Sequence, residues 1–410
     1  MAVSERDLIL NSLIQIVENG AFCHEMVREV LDKYDYLENN QKAFIKRVIE
    51  GTIENQMAID EIIDRFSKLK CSKLKPMIRM ILRMSIYQIL WMDKVPDSAA
   101  CNEAVKLAGK HGFRTLGGYV NGVLRNVSRN KATLNTDECE VCPEWLRTHF
   151  VTCYGEDTAN AIMNDMQAEH PVTIRVRNES FDAGCLVKAE EIPNAYYVPK
   201  GMSVSQIPGY ENGDFTVQDI NSQRVCLMAD IKSGDKVLDV CASPGGKAIH
   251  AADLGADVTA RDISEEKVRR IEENIERCQN SGNNIRIRAQ VMDATKKDEN
   301  SIEAFDVVLA DVPCSGLGVI GRKKDIRFKT AKEDLDALSS IQKEILGTIY
   351  DYVKPGGKLV YSTCTINPTE NEEQVEWILN NYPYELIEMK QYFPGKDIGD
   401  GFFMALLKRK

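Results

Sequence analysis

The pattern of hydrophobic positions changes twice along the chain. In the first 130 residues apolar side chains recur at helical spacing, as at Ile9, Leu13 and Ile16. Pro76 suits the first position of a helix, and the apolar positions after it mark one face of that helix. This pattern predicts an all-α bundle over residues 1–130.

A mixed region follows the bundle. Residues 131–165 combine polar loop with helix, and residues 172–177 alternate between apolar and polar positions with the period of a strand. We interpret residues 131–215 as a small α+β connector of RRM-like character.

From residue 216 to residue 410, short apolar strands alternate with helical segments. The strands are predicted at residues 237–240, 258–260, 285–287, 305–310 and 358–362. Such alternation predicts an α/β domain with a Rossmann-like, mainly parallel sheet. Residues 384–389 and 402–407 are expected to close the edge of this seven-stranded sheet as a pair.

Composition is typical of a globular protein of two to four domains, with 410 residues, 43% hydrophobic and 28% charged. No apolar run approaches the ~20 residues that a membrane helix needs. The first residues are charged and lack a secretory hydrophobic region, so we expect a cytoplasmic protein with no membrane partner. In that compartment the 12 cysteines are expected to be reduced thiols.

The net charge of −10 disfavours phosphate contacts, but the charge is uneven. Residues 64–83 hold seven Lys and Arg against Asp64, and residues 322–329 hold five against Asp325. Basic patches on an acidic body fit a specific RNA partner, and the alternative is that they are solvated lysine-rich faces.

A glycine turn follows the first strand of the α/β domain, where the chain enters a helix. Its residues are Cys241, Ala242, Ser243, Pro244, Gly245, Gly246 and Lys247. Glycines at such a turn let the backbone approach a ligand beside a helix N-terminus. The spacing matches neither a Walker A loop nor the GxGxxG fingerprint.

Carboxylates end the next three strands, at Asp262, Asp293 and Asp311. Asp262 is placed to bind ribose hydroxyls. Together the three acids indicate a nucleoside pocket that disfavours polyphosphates and tolerates a cationic sulfonium. Each carboxylate alone is as well explained by a helix cap or a solvated loop.

Two cysteines, Cys314 and Cys364, follow strands whose carboxyl ends face that pocket. Two thiols at one cofactor pocket suggest covalent chemistry. Addition of a thiolate to carbon 6 of cytosine makes carbon 5 nucleophilic toward a methyl sulfonium, and a second group must then remove the carbon-5 proton. We hypothesise that Asp311, protonated or through a water, donates to cytosine N3. The alternative is that these cysteines are small buried hydrophobes.

A second cysteine cluster offers a zinc site as a rival interpretation. Cys139 and Cys142 form a CxxC, with His149 and Cys153 shortly after. No second CxxC follows at finger spacing, so we expect no metal. Nothing in the sequence requires an oligomer, and we expect a monomer.

These motifs resemble those of a known family. Residues 241–247, 311–316 and 362–364, with 215–219, 367–372 and 400–403, are similar to the signature motifs of the RNA cytosine-C5 methyltransferases, the NOL1/NOP2/Sun group. Residues 81–88, 96, 102–105 and 120–125 resemble the antitermination factor NusB. The combination resembles the bacterial 16S rRNA cytosine-C5 methyltransferases of the RsmB/Sun type.

The resemblance implies S-adenosyl-L-methionine as cofactor, contacted by residues 241–247 and the three strand-end acids. It also implies Cys364 as the nucleophile, Cys314 as the thiol that aids product release, and 16S rRNA as the substrate. DNA cytosine-C5 methyltransferases use a Pro-Cys cysteine as nucleophile, so the opposite assignment is the alternative.

The chain departs from the family pattern at three places. Ser243 replaces a smaller residue, residues 323–325 differ from the usual His-Pro-Asp context, and residues 51–54 lack a common arginine. Alternative functions are methylation of tRNA or another RNA, a small-molecule methyltransferase, and an inactive RNA-binding assembly or antitermination factor.

Overall fold

The computed structural model describes residues 4–135, 140–178, 180–280 and 285–410. These residues form two compact units, of which the first comprises Met1–Thr148 with Lys323–Lys329 and the second comprises His149–Arg322 with Thr330–Lys410. The division into three domains at residues 130 and 215 stays a prediction.

The first unit is a helical bundle. Its helices are α1 (Glu5–Glu18), α2 (Cys23–Lys33), α3 (Asn39–Glu54), α4 (Gln56–Phe66), α5 (Pro76–Trp91), α6 (Asp97–Lys110) and α7 (Gly117–Asn130). Pro76 is the first residue of α5, as predicted. The single apolar face expected for α5 is wrong, because α5 packs against α1, α3, α4, α6 and α7 and is buried on all sides from Met80 to Ile89. Buried Arg83 is satisfied by both carboxylate oxygens of Asp60, at 2.7 and 2.6 Å.

The second unit begins with a helix and a small antiparallel sheet. Its elements are α8 (Glu144–Asp165, which starts in the first unit and is interrupted at Gly155), β1 (Thr173–Val176), β2 (Val187–Lys188), β3 (Ala195–Tyr197) and β4 (Phe215–Val217). The strand order is β2-β3-β1-β4, and every residue of β1 is buried. The polar positions of β1 are therefore not solvated, since Arg175 pairs with Asp253 at 2.7 Å. The RRM-like character of this region stays a prediction.

The rest of the second unit carries the large sheet. Its elements are α9 (Ile220–Met228), β5 (Lys236–Asp239), α10 (Gly246–Asp253), β6 (Asp257–Asp262), α11 (Glu265–Gln279), β7 (Arg286–Val291), β8 (Phe305–Asp311), α12 (Ile326–Lys329, in the segment that joins the first unit), α13 (Lys332–Ile349), β9 (Val353–Thr363), α14 (Glu372–Asn381), β10 (Tyr384–Tyr392) and β11 (Phe402–Arg409).

The large sheet has seven strands in the order β10-β11-β9-β8-β5-β6-β7. Strands β5 to β9 are mutually parallel, and β11 runs antiparallel to both β9 and β10. The mainly parallel Rossmann-like sheet with a closing antiparallel pair is therefore confirmed.

Apolar cores cover both faces of this sheet. Val237 packs in a core with side chains of α9, α10 and α11, whereas its neighbour Leu238 packs in a core with side chains of α13 and α14. Successive strand residues point to opposite faces, so strands covered on both faces are apolar throughout. Polar side chains are consequently concentrated where the strands end.

The register of the parallel strands brings those ends together. Asp311 of β8 lies beside Ser362 of β9, and Asp239 of β5 lies beside Leu309 of β8 and Ala260 of β6. The carboxyl ends of β5, β6, β8 and β9 therefore share one edge of the sheet, where ligands bind in open α/β sheets.

The segment Lys323–Lys329 belongs to the helical unit and is held there by polar contacts. Buried Asp325 accepts from the backbone N–H of Cys23 at 2.8 Å and pairs with Lys329 at 2.9 Å. Buried Arg327 donates to the carbonyls of Val141 at 2.6 Å and Glu54 at 2.7 Å. The seven residues are thus part of the structure of the helical unit.

We expect Arg327→Met to lower the free energy of unfolding of the helical unit by about 1–3 kcal/mol, because two carbonyl oxygens lose their donor. Amide hydrogen exchange along α3, measured in the full chain, reports this loss. Lys323→Met, at an exposed position of the same segment, is the control. Wild-type hydrogen exchange in Arg327→Met would show that the hydrogen bonds of Arg327 contribute nothing to the free energy of unfolding.

Candidate active site

The glycine turn lies between β5 and α10 and is fixed to the neighbouring strand. The backbone N–H of Ala242 donates to the carbonyl of Arg261 at 2.8 Å, and that of Ser243 donates to Asp262 Oδ2 at 2.9 Å. Gly245 precedes α10 with φ of 102°, a conformation that favours glycine. The turn predicted from sequence therefore has the close-approach geometry of a ligand loop.

Asp262 lies at the end of β6 as predicted, and its carboxylate holds the backbone of the glycine turn there. Besides the turn amide, its carboxylate accepts from the backbone N–H of Ile263 at 2.8 Å and pairs with Lys267 at 3.1 Å. Ile263 follows it with a side chain that is 59% exposed, an unusual state for a large apolar residue. Asp262 itself is buried, so the surface that this pair presents is the apolar side chain of Ile263.

Asp293 lies two residues beyond β7 and is partly exposed. Thr295 donates to Asp293 Oδ1 from its backbone N–H at 2.9 Å and from its hydroxyl at 2.8 Å. These two hydrogen bonds, the backbone one first, lower the pKa of Asp293. The carboxylate is therefore held in its charged form.

Asp311 forms the centre of a polar group at the end of β8. Lys247 of α10 donates to Asp311 Oδ2 at 2.7 Å, and the Ser362 hydroxyl donates to Asp311 Oδ1 at 2.8 Å. Burial lowers the pKa of Lys247, but the charge and hydrogen bond of Asp311 and the charge of Asp239 outweigh it and raise that pKa overall. Lys247 thus stays protonated, and Asp311 acts as an acceptor at both oxygens.

The sequence interpretation missed Asp239, the last residue of β5. Its side chain is 1% exposed, and neither carboxylate oxygen has a hydrogen-bond partner of ordinary geometry within the described ranges. Burial raises the pKa of Asp239 to about 7, with Lys247 opposing and Asp311 adding to the shift. Its place just before the glycine turn was the available signal. A buried carboxylate without a partner costs stability, which is typical of a group kept for a ligand.

The two predicted cysteines come together. Cys314 Sγ and Cys364 Sγ lie 3.3 Å apart, both are partly exposed, and neither is in a disulfide. The hydrogen bond with Cys364, followed by burial and the charges of Cys364 and Glu370, raises the pKa of Cys314 well above its usual range. The two sulfurs therefore lie within hydrogen-bonding distance of each other, and either one can be the donor.

Cys241 also lies at this edge, but its environment makes it inert. Burial, followed by the charges of Asp239, Asp262 and Asp311, raises the pKa of its thiol. A thiol surrounded by carboxylates does not ionise easily, so Cys241 lines the turn without being a nucleophile.

The backbone around the two thiols is closely packed. The N–H of Gly318 donates to the carbonyl of Cys364 at 3.0 Å, and the N–H of Gly401 donates to the carbonyl of Gly318 at 2.8 Å. A Cβ added at Gly318 would lie 2.1 Å from the Gly401 oxygen. The loops after β8 and β9 and before β11 are therefore joined at a position where only glycine fits.

The two basic segments predicted to face RNA differ, because most cations of residues 322–329 pair within the protein whereas most of those of residues 64–83 remain exposed. Arg322 pairs with Asp400 at 2.6 Å, and within the helical unit Lys324 pairs with Glu54 and Arg79 with Glu18. The interpretation of residues 322–329 as a basic surface is therefore wrong, since Lys323 alone among its cations is exposed. The basic side chains that remain exposed between residues 64 and 83 are Arg65, Lys68, Lys70, Lys73 and Lys75.

The zinc interpretation depends on Cys139, which lies outside the described residues. Cys142 is buried, and His149 lies 3.9 Å from Cys153 on α8. The described ranges contain no group of three or more potential metal ligands. Within the same ranges, every helix is too short or too polar to cross a bilayer.

The residues at the strand ends fit S-adenosylmethionine. Four carboxylates, at Asp239, Asp262, Asp293 and Asp311, outnumber the three neighbouring ammonium groups, which are those of Lys247, Lys267 and Lys296. This surplus of negative charge suits a ligand with a sulfonium and an ammonium group, and unpartnered Asp239 can accept hydrogen bonds from it.

Fold and site together define an S-adenosylmethionine-dependent methyltransferase with a Rossmann-like domain. The family model described as 16S rRNA methyltransferase RsmB/F matches residues 226–408, and the NusB family model matches residues 3–129. A Bacillus subtilis (strain 168) protein named probable ribosomal RNA small subunit methyltransferase B is 34% identical, over 93% of this chain and 89% of its own length. The chain therefore belongs to the RsmB/F family of ribosomal RNA methyltransferases.

Further comparisons give a second relative and two solved structures of the same fold. The ribosomal RNA small subunit methyltransferase B of Proteus mirabilis (strain HI4320) is 30% identical, over 99% of this chain and 98% of its own length. The crystal structure of the protein PH0851 shares the fold over 100% of both chains, with a TM-score of 0.82 and 23% identity. NSun6 from Pyrococcus horikoshii, solved with SFG, shares it over 66% of this chain and 99% of its own, with a TM-score of 0.59 and 22% identity.

We expect the stability of Asp239→Asn to differ from the wild type in a pH-dependent way. Because the folded-state pKa of Asp239 is raised, the folded protein binds a proton that the unfolded chain releases, and the wild type loses stability as pH rises from about 4 to about 7. Asparagine does not ionise, so the variant should gain about 2–4 kcal/mol relative to the wild type across this window. Urea unfolding at pH 4, 6 and 8 measures the difference.

The same variant should bind S-adenosylmethionine more weakly, as measured by calorimetry, because it lacks the buried charge. Asp257→Asn, at the exposed opposite end of β6, is the control for charge removal. A stability difference that stays constant with pH would contradict the assignment of a buried, uncompensated carboxyl.

Proposed function

We propose that the chain transfers a methyl group from S-adenosylmethionine to carbon 5 of a cytosine in 16S rRNA through a covalent adduct with Cys364. The observation that carries this proposal is the pair of thiols 3.3 Å apart beside an acidic nucleoside pocket. Carbon 5 of cytosine is a poor nucleophile, and addition of a thiolate to carbon 6 is a direct way to activate it. A methyltransferase acting on a nitrogen or oxygen has no need of two thiols.

The cofactor pocket has its own set of residues in this proposal. Residues 241–247 form the turn that the cofactor approaches, while Asp262, Asp293 and Asp311 line the strand ends around it. Asp239 joins this set because its buried carboxylate makes no hydrogen bond of ordinary geometry to any described residue. When bound, S-adenosylmethionine supplies the methyl group.

Cys364 is the nucleophile in the first step. Its sulfur forms a bond to carbon 6 of cytosine, and the electron pair of the 5,6 double bond becomes available at carbon 5. The contact between the two sulfurs fits this assignment, because an S–H group on Cys314 stabilises a thiolate on Cys364 by hydrogen bonding. The alternative, with Cys314 as nucleophile, would require the proton on the other sulfur.

Cys314 acts in the last step, when the carbon-5 proton leaves and the bond between carbon 6 and sulfur breaks. The leading cause of its raised pKa is the hydrogen bond with Cys364. Once Cys364 is bonded to carbon 6, that hydrogen bond and the thiolate charge are lost. Cys314 can then release its proton to water and accept the proton of carbon 5.

Asp311 assists through the polar group around it. The hypothesis that a protonated Asp311 donates directly to cytosine N3 has little support, because both oxygens accept hydrogen bonds, from Lys247 and Ser362. We favour its water-bridged form, in which the carboxylate orients a water that donates to N3. Lys247 keeps the carboxylate oriented in this form.

The substrate assignment to small-subunit rRNA draws on the relatives, which are named ribosomal RNA small subunit methyltransferase B. The helical part matches the NusB family model. Exposed cations between Arg65 and Lys75 provide positive charge on an otherwise acidic chain. Such local charge favours contacts with phosphates.

We expect Cys364→Ser to lose methyl transfer by on the order of 10³-fold or more, while S-adenosylmethionine binding persists, because the nucleophile alone is removed. We expect Cys314→Ala to accumulate an RNA–protein adduct, because addition proceeds and elimination stalls. Both variants are mixed with cofactor and small-subunit rRNA from cells lacking this protein. The adduct is then read as a slow-migrating, RNase-sensitive band.

Cys185→Ala is the matched control, since Cys185 is exposed and distant in sequence from both thiols. It should transfer methyl groups normally and trap nothing. An adduct with Cys364→Ser rather than Cys314→Ala would reverse the two roles. If neither variant traps RNA and Cys364→Ser stays active, the covalent mechanism is wrong.

A further inference from the structure

Glu370 is a buried carboxylate in the loop that follows Cys364. It ends the short 3₁₀ turn Pro368–Glu370, and its side chain is fully shielded from solvent. Among the described residues it takes part in no ion pair, so its charge is balanced by hydrogen bonds alone. Burying an ionised carboxyl is expensive unless it is well satisfied. Its position therefore needs an explanation.

Four donors satisfy this carboxylate. They are the Ser315 backbone N–H at 2.8 Å, the Ser315 hydroxyl at 2.6 Å, the Gln342 side-chain amide at 3.0 Å and the Asn367 side-chain amide at 3.0 Å. Two of them come from the residue directly after Cys314. The carboxylate thus holds the Cys314 loop from a residue on the Cys364 loop.

A second contact joins the same loops. The hydroxyls of Ser315 and Thr365 lie 2.7 Å apart, so the residues that follow the two cysteines are bonded to each other. The hydroxyl of Tyr361 also donates to the backbone carbonyl of Glu370 at 2.5 Å. The separation of the two sulfurs therefore depends on a hydrogen-bonded network with Glu370 at its centre.

The charge of Glu370 also acts on the thiol of Cys314. It contributes to the raised pKa of Cys314, after the hydrogen bond with Cys364, burial and the charge of Cys364. The other titratable groups that sense this charge are Tyr361 on β9 and His149 on α8. Burial raises the pKa of Tyr361 and lowers that of His149, so both stay neutral near pH 7.

We propose that Glu370 is a positioning residue that gives the two cysteines different roles: its carboxylate binds the backbone N–H and hydroxyl of Ser315, directly after Cys314, so it fixes the Cys314 loop against the Cys364 loop and disfavours a thiolate on Cys314 more than on Cys364. The inference rests on the proposed function, in which Cys364 must be the thiolate when the cytosine arrives. Without the charge, the thiolate would be divided more evenly between the sulfurs.

Alkylation of the full chain by iodoacetamide between pH 5 and pH 10, with each cysteine peptide quantified by mass spectrometry, tests this proposal. In the wild type Cys364 should react at lower pH than Cys314. Glu370→Gln keeps the shape of the side chain and removes its charge. In this variant the alkylation rate of Cys364 divided by that of Cys314 at pH 7.5 should fall severalfold. Glu373→Gln, the same change at an exposed position of α14, should keep the wild-type ratio.

A folded Glu370→Gln with the wild-type ratio would overturn the proposal. If that variant does not fold, Glu370→Asp makes the same test, because it withdraws the charge from Ser315 by one methylene and should lower the ratio in the same direction. An unchanged ratio in Glu370→Asp would likewise overturn it.

Ser315→Ala separates position from charge. It removes one donor and leaves the carboxylate, so the alkylation ratio should persist while kcat for methyl transfer falls and KM for RNA stays constant. A wild-type kcat would overturn the positioning role. Alkylation requires neither RNA nor methyl transfer, so an unchanged alkylation ratio in the Glu370 variants overturns this inference alone. If the alkylation ratio responds as expected but no RNA–protein adduct forms, the proposed function is wrong instead.

Discussion

The parallel pairing of β8 with β9 is the constraint on which the site depends. Its register sets Asp311 beside Ser362, and the chain leaves both strands in the same direction. Neighbouring strands lie about 4.8 Å apart, so residues two or three positions beyond two such ends can touch. Cys314 and Cys364 meet in this way although 50 positions separate them. The pairing of the two sulfurs is thus a consequence of sheet geometry that the loops refine.

Buried charges at this edge serve different purposes. Within the described residues Asp239 makes no hydrogen bond of ordinary geometry, and its raised pKa destabilises the apo protein and leaves an acceptor for a ligand. Glu370 is equally buried but fully hydrogen-bonded, so it stabilises one arrangement of two loops. Arg327, in the helical unit, similarly anchors a segment through two carbonyls. Whether a buried charge has partners distinguishes a binding group from a structural one.

Much of this architecture is predictable from sequence because an apolar run gives way to polar residues where a strand ends. Apolar runs followed by Asp262, Asp311 or Cys364 locate the carboxyl edge of the sheet, and the structure brings these residues to that edge. Contacts between residues that are distant in the sequence cannot be predicted from local sequence patterns. The cations of residues 322–329 looked solvated, yet their partners include Glu54, Val141 and Asp400. Asp239 reads as an ordinary strand residue until its lack of a partner is seen.

The central claim is that this chain methylates carbon 5 of a cytosine in 16S rRNA. The most direct measurement incubates the purified protein with small-subunit rRNA from cells lacking it and with S-adenosylmethionine carrying a labelled methyl group. The RNA is then digested to nucleosides and analysed by mass spectrometry. We expect label in 5-methylcytidine, at a stoichiometry approaching one per molecule of 16S rRNA. Label on a cytosine nitrogen, on a ribose or on another base would contradict it.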